Sequence, residues 1–420
     1  MNEVRHIKTA QTVDAIIDVP TSKSIMNRAL IVAALADGVS KIINPSPADD
    51  CKLMTEALRK FGITIEEYTD YLLVHGCGGK LTAPKSDIYV GNAGTTMRFL
   101  AGLASVTDGA TQLVGSARMN KRPLSELLAA LDQMGVKHES DGGYPPLIIQ
   151  GGNLRGGDIT INGTRSSQFI SSILLVAPFV DSGVNLMIAD KLISKPYIDL
   201  TLEVMNKFGV EVKQSEHIYK VTHGCRYKAI EFTIEGDASS ASYFFAAAAV
   251  TGGKVLVRNL SLLSKQGDIK FLDILQQMGC AVTTDVDGVS VRGGQLSSIS
   301  IDMNEIPDMV PTLAVIALFA GGKTCIRNVK HLRYKESDRL SALTTELRKL
   351  GAEVAELEDG LEIEPGNLKG SNVETYEDHR LAMSFAIAGL RIPDVSIINP
   401  NCVVKSFPGF WSEWNKIDGE

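Results

Sequence analysis

Cysteine is scarce in this chain of 420 residues. The six, Cys51, Cys77, Cys225, Cys280, Cys325 and Cys402, form no CxxC pair, so neither a disulfide framework nor a cysteine zinc site is indicated. They read as small buried apolar side chains in a reducing compartment. Long apolar runs are lacking too. The longest uncharged stretches, such as Ala238–Gly253 and Met309–Gly322, fall short of the roughly 18 apolar residues of a spanning helix. The opening MNEVRHIKTAQTVD holds no apolar stretch of signal-peptide type. A basic excess is absent: 42 Lys and Arg face 49 Asp and Glu, a net charge of −7. That argues against a general nucleic-acid binder and leaves only local basic pockets. There is no P-loop, no GxGxxG after a strand, no HExxH and no GxSxG elbow. The seven His show no metal spacing, and Asp49-Asp50 has no carboxylate cluster around it, so no metal is expected. The expectation is a soluble cytoplasmic protein, in contact with neither membrane nor nucleic acid.

With 44% apolar and 22% charged residues, the chain has the composition of a folded globular protein rather than a disordered one. Its length calls for two or three domains, or one large repeated architecture. Repetition is visible. LMTEALRKFGITIE, LSELLAALDQMGVKHE, LTLEVMNKFGVEVK, FLDILQQMGCAVTT and LSALTTELRKLGAEVA are amphipathic segments of helical period, with glycines at 62, 135, 209, 279 and 351. Each Gly sits where a left-handed helix stop is wanted, and the intervals of 73, 74, 70 and 72 residues mark a repeat. In step with them run nearly all-apolar segments such as NRALIVAALADGVSKIIN, TMRFLAGLASVTDGATQLVG and SASYFFAAAAVTGGKVLVRN. Hydrophobic on most sides, these helices should be buried. Six strand–helix–strand–helix–strand units of about 70 residues follow, split three and three because six exceed one core. Crossings near Pro20 and Gly236 would place residues 20–236 in one domain and 1–19 with 237–420 in the other.

Polar and charged residues gather just before each apolar helix: Lys23, Ser24 and Arg28; Gly94 to Arg98; Thr164 to Gln168; Asp237 to Ser240; Asp308; and Glu377 to Arg380. Ser, Thr, Asn and Asp there are satisfied as N-caps. A cation at a helix N-terminus opposes the macrodipole, so Lys23, Arg28, Arg98 and Arg380 call for a nearby anion. GSARMNKRPL, SKPYIDLT, RYKESDRL and VVKSFPGFW add Arg118, Lys121, Arg122, Ser194, Lys195, Tyr197, Lys335, Glu336, Arg339 and Lys405. Together they suggest two small anionic substrates carrying phosphate and carboxylate.

The motifs PTSKSIMNRA, GNAGTTMR, RMNKRP, SSQF, SKPYIDLT, GDASSAS, RYKESDRL and EDHRLAM, in order along the whole chain, resemble the 5-enolpyruvylshikimate-3-phosphate synthase family of enolpyruvyl transferases. The resemblance implies an α/β protein of two similar domains, each of three βαβαββ units (an inverted α/β barrel), that close over shikimate 3-phosphate and phosphoenolpyruvate in the cleft between them. It implies that Lys23, Ser24, Arg28, Ser166, Ser167, Gln168, Ser194, Tyr197, Asp308 and Lys335 meet shikimate 3-phosphate. Lys23, Gly94, Arg118, Gln168, Arg339, Arg380 and Lys405 would meet phosphoenolpyruvate, and Asp308 and Glu336 would be the acid/base pair, assisted by Lys23. No metal or organic cofactor is implied. Glyphosate would compete with phosphoenolpyruvate, and the chain would act as a monomer. Thr21, Phe99 and His331 depart from the family's commoner pattern. The runner-up, the UDP-N-acetylglucosamine enolpyruvyl transferases, carries a catalytic Cys five residues before its Arg-Pro; here that residue is Ala117. A repeat-built scaffold without catalysis would have no use for both Asp308 and Glu336 in such motifs.

Overall fold

The computed structural model describes residues 3–417. Two compact units divide the chain: a continuous one, Thr21–Ile234, and a composite one made of the segment ending at Pro20 and the chain from Glu235 onward. Each has its own apolar core.

In the continuous unit the helices are α1 (Lys23–Leu35), α2 (Asp49–Lys60), α3 (Gly94–Val106), α4 (Ser125–Gln133), α5 (Ser167–Val176) and α6 (Lys195–Lys207). The apolar segments α1, α3 and α5 are buried nearly all round, as a helix without a polar face must be. Amphipathic α2, α4 and α6 each bury one stripe. Three four-stranded sheets share one plan. Ile88–Tyr89 runs parallel to Gly109–Val114 across α3, and Tyr144–Gly151 and Lys137–Asp141 add an antiparallel hairpin. Gly157–Ile161 and Val184–Ile188 repeat this across α5, with Ile218–Val221 and Lys213–Gln214 as the hairpin. In the first sheet the parallel partner of Asp37–Ile43 comes from the far end of the unit: Glu231–Thr233 pairs there, Phe232 opposite Ile42. The unit thereby closes on itself and leaves that edge paired.

The composite unit carries α7 (Ala238–Thr251), α8 (Phe271–Gln277), α9 (Val310–Ile316), α10 (Arg339–Lys349), α11 (His379–Gly389) and α12 (Phe410–Trp414). Two of its sheets follow the same plan. The chain's early strand Asp14–Asp18 supplies the parallel partner of Lys254–Arg258 in one of them. The third departs from the six equal units expected. It has three strands, Asn372–Val373, Ser396–Ile398 and Val4–His6, because the chain continues after Ser396–Ile398 into α12 rather than a hairpin. Val4–His6 takes the antiparallel place. The five glycines expected to stop helices all have left-handed backbone: φ is +88° at Gly62, +77° at Gly135, +89° at Gly209, +107° at Gly279 and +93° at Gly351.

Candidate active site

In the continuous unit the first turns of α1, α3, α5 and α6 carry the residues singled out above. Ser22 and Ser166 are N-caps, accepting from the backbone N–H of Ile25 and Gln168. For Ser166 the capping role therefore holds alongside any other. Ser194 precedes α6 with φ +52° and its side chain does not cap the helix. A left-handed serine is strained, which is common where a side chain is held for function. Ser24 lies on the first turn of α1 and Ser167 opens α5.

Long-range hydrogen bonds tie these turns together. Lys23 Nζ pairs with Asp50 Oδ2 of α2 at 3.0 Å, and Thr96 of α3 donates to the Asp50 carbonyl at 3.2 Å. Arg98 donates to Gln168 Oε1, and the Gln168 amide donates to Thr95 at 2.9 Å. Arg28, only 2% exposed, donates Nε to Thr201 Oγ1 and Nη1 and Nη2 to the carbonyls of Ser24 and Tyr197, at 2.7–2.8 Å. All three acceptors are neutral. Burial accordingly draws the Arg28 guanidinium down to about 10, so it stays charged at neutral pH, and an anion placed beside it would raise it again. Beneath it lies Phe99, its ring centroid 5.3 Å from Cζ, so this unusual residue gives the cation an aromatic face.

Arg122 was not among the assigned ligands, yet it is the arginine of RMNKRP that the fold lays on Gly94. A Cβ at Gly94 would sit 2.6 Å from Arg122 Nη2 and 2.8 Å from Cζ and Nη1. Arg122 is buried, and its Nη1 donates to the Asn92 carbonyl (3.1 Å) and Oδ1 (3.2 Å). Arg118, by contrast, is half-buried at the start of the Met119–Lys121 turn. The Arg-Pro pair, which holds the chain extended after the turn, was the available signal. Asp50 was likewise legible only as half of an acidic pair.

In the composite unit the remaining residues form one ionic cluster. Arg339, 1% exposed, donates Nη1 to Asp308 at 3.0 Å, Nη2 to Glu336 at 2.9 Å, and Nε to Asp378 at 2.8 Å. Arg380 Nη2 meets the other oxygen of Asp308 at 2.8 Å. Lys335 lies 3.6 Å from Asp308, and Lys405 lies 4.0 Å from Glu336. Sequence places these groups up to about a hundred residues apart; α10, α11 and the turns at Pro307–Met309 and Pro400–Lys405 deliver them. Asp378, expected from the sequence as an N-cap but not as a partner of Arg339, is fully buried. It caps α11 through the Arg380 N–H at 3.0 Å while neutralising Arg339. Burial by itself would raise the Asp308 carboxyl, but Arg380, Lys335 and Arg339 together hold it well below the usual carboxylate range, against the opposing charge of Glu336. Asp308 is thus ionised at neutral pH, with its proton affinity set by the cations around it.

His331 is buried at 5% exposure, with Nε2 lacking a hydrogen-bond partner among the described residues. Burial, then Lys335 and Arg339, outweigh Asp308 and push its imidazole down to about 3 from 6.5. The sign follows. Between those values the unfolded chain binds a proton that the folded chain does not, so stability falls as pH drops below 6.5. Urea unfolding should show His331→Asn losing about 2 kcal/mol less than the parent between pH 7 and pH 5. Asp308 contributes in the same direction only below the ordinary carboxylate range, so this interval isolates His331. Equal losses in parent and variant would show that His331 is not held neutral. No cluster of His, Cys, Asp and Glu suited to a metal occurs among the described residues, and no described helix is long and apolar enough to cross a membrane.

Comparison with known proteins gives one consistent result. A family model described as EPSP synthase (3-phosphoshikimate 1-carboxyvinyltransferase) matches residues 7–414. A 3-phosphoshikimate 1-carboxyvinyltransferase of Nostoc punctiforme is 42% identical over 408 residues, 96% of each chain. One from Sulfurovum sp. is 42% identical over 425 residues, 99% of each. The solved EPSP synthase of Acinetobacter baumannii superimposes with a TM-score of 0.82 at 28% identity, covering 99% of this chain and 98% of that one. Near-complete coverage at such identity carries the ordered motifs and the fold together, and the chain belongs to the EPSP synthase (3-phosphoshikimate 1-carboxyvinyltransferase) family.

Proposed function

We infer that the chain transfers the enolpyruvyl group of phosphoenolpyruvate to the 5-hydroxyl of shikimate 3-phosphate, releasing phosphate, in the synthesis of chorismate and the aromatic amino acids. The observation that carries this is the pair Asp308 and Glu336, both bonded to the Arg339 guanidinium with Lys335, Arg380 and Lys405 around them. In the addition step the hydroxyl oxygen bonds to C2 of phosphoenolpyruvate, its proton leaves to a base, and C3 takes a proton from an acid. In the elimination step C2 releases phosphate while C3 returns a proton and the double bond re-forms. Asp308 and Glu336 exchange these protons, with Lys23 assisting. Lys23, Arg118, Gln168, Arg339, Arg380 and Lys405, with Arg122 added because it lies against Gly94, hold the carboxylate and phosphate of phosphoenolpyruvate, where forked cations suit planar and tetrahedral anions. Arg28, Ser24, Ser166, Ser167, Ser194 and Tyr197 take shikimate 3-phosphate, with Asp308 and Lys335 on its hydroxyls. A phosphoenolpyruvate anion drawing Arg380 and Arg339 toward itself weakens their hold on Asp308. Substrate binding therefore raises the proton affinity of the base just when it is needed.

A monomeric chain acting in the cytoplasm goes with this assignment; sedimentation and cell fractionation test those two points. The activity itself is tested by phosphate release from phosphoenolpyruvate, with shikimate 3-phosphate or UDP-N-acetylglucosamine as acceptor. Release with the first alone is expected. Release only with the second, or with neither, overturns the assignment.

Gly94→Ala probes the phosphoenolpyruvate side. The new methyl must displace the far end of Arg122, a shift that costs little stability but misplaces a ligand-binding guanidinium. KM for phosphoenolpyruvate should rise roughly 10-fold, about 1.4 kcal/mol, the order of one weakened hydrogen bond to a charged group. Glyphosate inhibition should weaken more. Equal loss for both ligands would rule out a steric cause specific to the inhibitor.

A further inference from the structure

Asp268 is a carboxylate of the composite unit that the chemistry above does not use. It is 5% exposed and sits in the short turn Gly267–Lys270. The Ser239 hydroxyl donates to its Oδ2, and Ser239 Oγ in turn accepts from Arg380 Nη2 at 3.4 Å. Taking Arg380 as a phosphoenolpyruvate ligand, as above, we propose that Asp268 is a positioning residue that aims the Arg380 guanidinium through the hydroxyl of Ser239.

A hydroxyl has one proton to give. An ionised carboxylate can only accept, so Asp268 claims that proton and leaves lone pairs of Ser239 Oγ toward Arg380. Without Asp268 the hydroxyl is free to rotate and present its proton to a guanidinium that also only donates. Arg380 keeps Asp308 at 2.8 Å and Tyr243 Oη at 3.3 Å among its partners. Asp308 is the group that must change its proton affinity during turnover. The Asp268–Ser239 arm therefore gives Arg380 an anchor that does not take part in the chemistry. The arm is itself braced. Gln266, two residues before Asp268, accepts from the Ala238 N–H at 3.1 Å and donates to the Gly236 carbonyl at 2.7 Å, which locks the turn to the first residues of α7. Asp237 caps that same helix through the Ser240 N–H at 2.7 Å.

The test is a double-mutant cycle. Asp268→Ala and Ser239→Ala should each raise KM for phosphoenolpyruvate about 3–10-fold, the effect of losing one oriented hydrogen bond, with KM for shikimate 3-phosphate unmoved. The double variant should be no worse than the poorer single variant, because both act through one arm. Asp268→Asn, whose carbonyl oxygen still accepts, should recover most of the affinity. Effects that multiply in the double variant, or that fall equally on both substrates, overturn the inference and leave Asp268 a packing residue. A crystal structure of Asp268→Ala reads the guanidinium directly, and an Arg380 unmoved from Ser239 overturns it whatever the kinetics. The assignment of phosphoenolpyruvate to Arg380 is checked apart: Arg380→Ala with an unchanged KM would sink that assignment, and the crystallographic readout would still decide the positioning.

Discussion

Glu336→Gln is expected to lower the single-turnover rate by roughly 10²–10⁴-fold while leaving both substrate affinities close to those of the parent. Glutamine keeps the shape of the side chain and can still accept from Arg339 Nη2, now 2.9 Å from the carboxylate. Arg339 retains Asp308 and Asp378 as partners, so the loss of one negative charge does not strand a buried cation. The variant therefore removes proton transfer with little else, which is why it separates catalysis from binding. Asp308→Asn is the informative contrast. Asp308 is shared by Arg339, Arg380 and Lys335, so its neutralisation should cost turnover and weaken shikimate 3-phosphate as well. Rapid-quench rates with direct binding for each variant are the measurement. Near-normal turnover in Glu336→Gln, or a loss of binding and stability in proportion to rate, would return Glu336 to a purely structural role and shift attention to Lys23.

The largest stability effect is expected at Asp378. Its carboxylate is inaccessible, receives Arg339 through Nε at 2.8 Å and Nη2 at 3.2 Å, accepts from Ser337 at 3.0 Å, and caps α11 through the Arg380 N–H. Asp378→Ala removes a helix cap and leaves a buried guanidinium short of a counter-charge. Breaking a buried pair from one side costs about 3–5 kcal/mol, with about 1 kcal/mol of that order attached to a lost cap alone. Urea unfolding should show a loss in this range. A loss under about 1 kcal/mol would mean that Asp308 and Glu336 suffice to neutralise Arg339. The same variant should also reduce activity, since Arg339 and Arg380 both lose an anchor.

Much of the fold was legible because burial and turn chemistry are written locally. The amphipathic helices announce themselves by a period of 3.6, and their stops by glycines that do adopt left-handed backbone, from Gly62 through Gly351. The all-apolar helices could only be interior ones, and α7, α9 and α11 are covered along nearly their whole length. The cations at helix starts were conspicuous for a physical reason: they oppose the dipole unless something negative is near. One such reason now has a visible form in Arg28, buried among neutral acceptors.

What could not be read was pairing. Asp50 follows Lys23 by 27 residues, Gln168 follows Arg98 by 70, and Asp378 follows Arg339 by 39. No local rule links such positions, because their approach depends on which helix packs against which. The same holds for Arg122, whose guanidinium rather than that of Arg118 covers Gly94, and for Ser194, whose left-handed backbone has no glycine to announce it. The sixth repeat looked like the other five in hydrophobic pattern, yet its antiparallel strand is Val4–His6, from the opposite end of the chain. By itself the sequence determined the helices and their glycine stops, since each depends on neighbours within a turn or two, and the recurrence of those signals at intervals of 70–74 residues laid out the repeat. Only the tertiary structure decided which carboxylate neutralises which cation and which strand completes which sheet, since those are contacts between distant residues, set by packing.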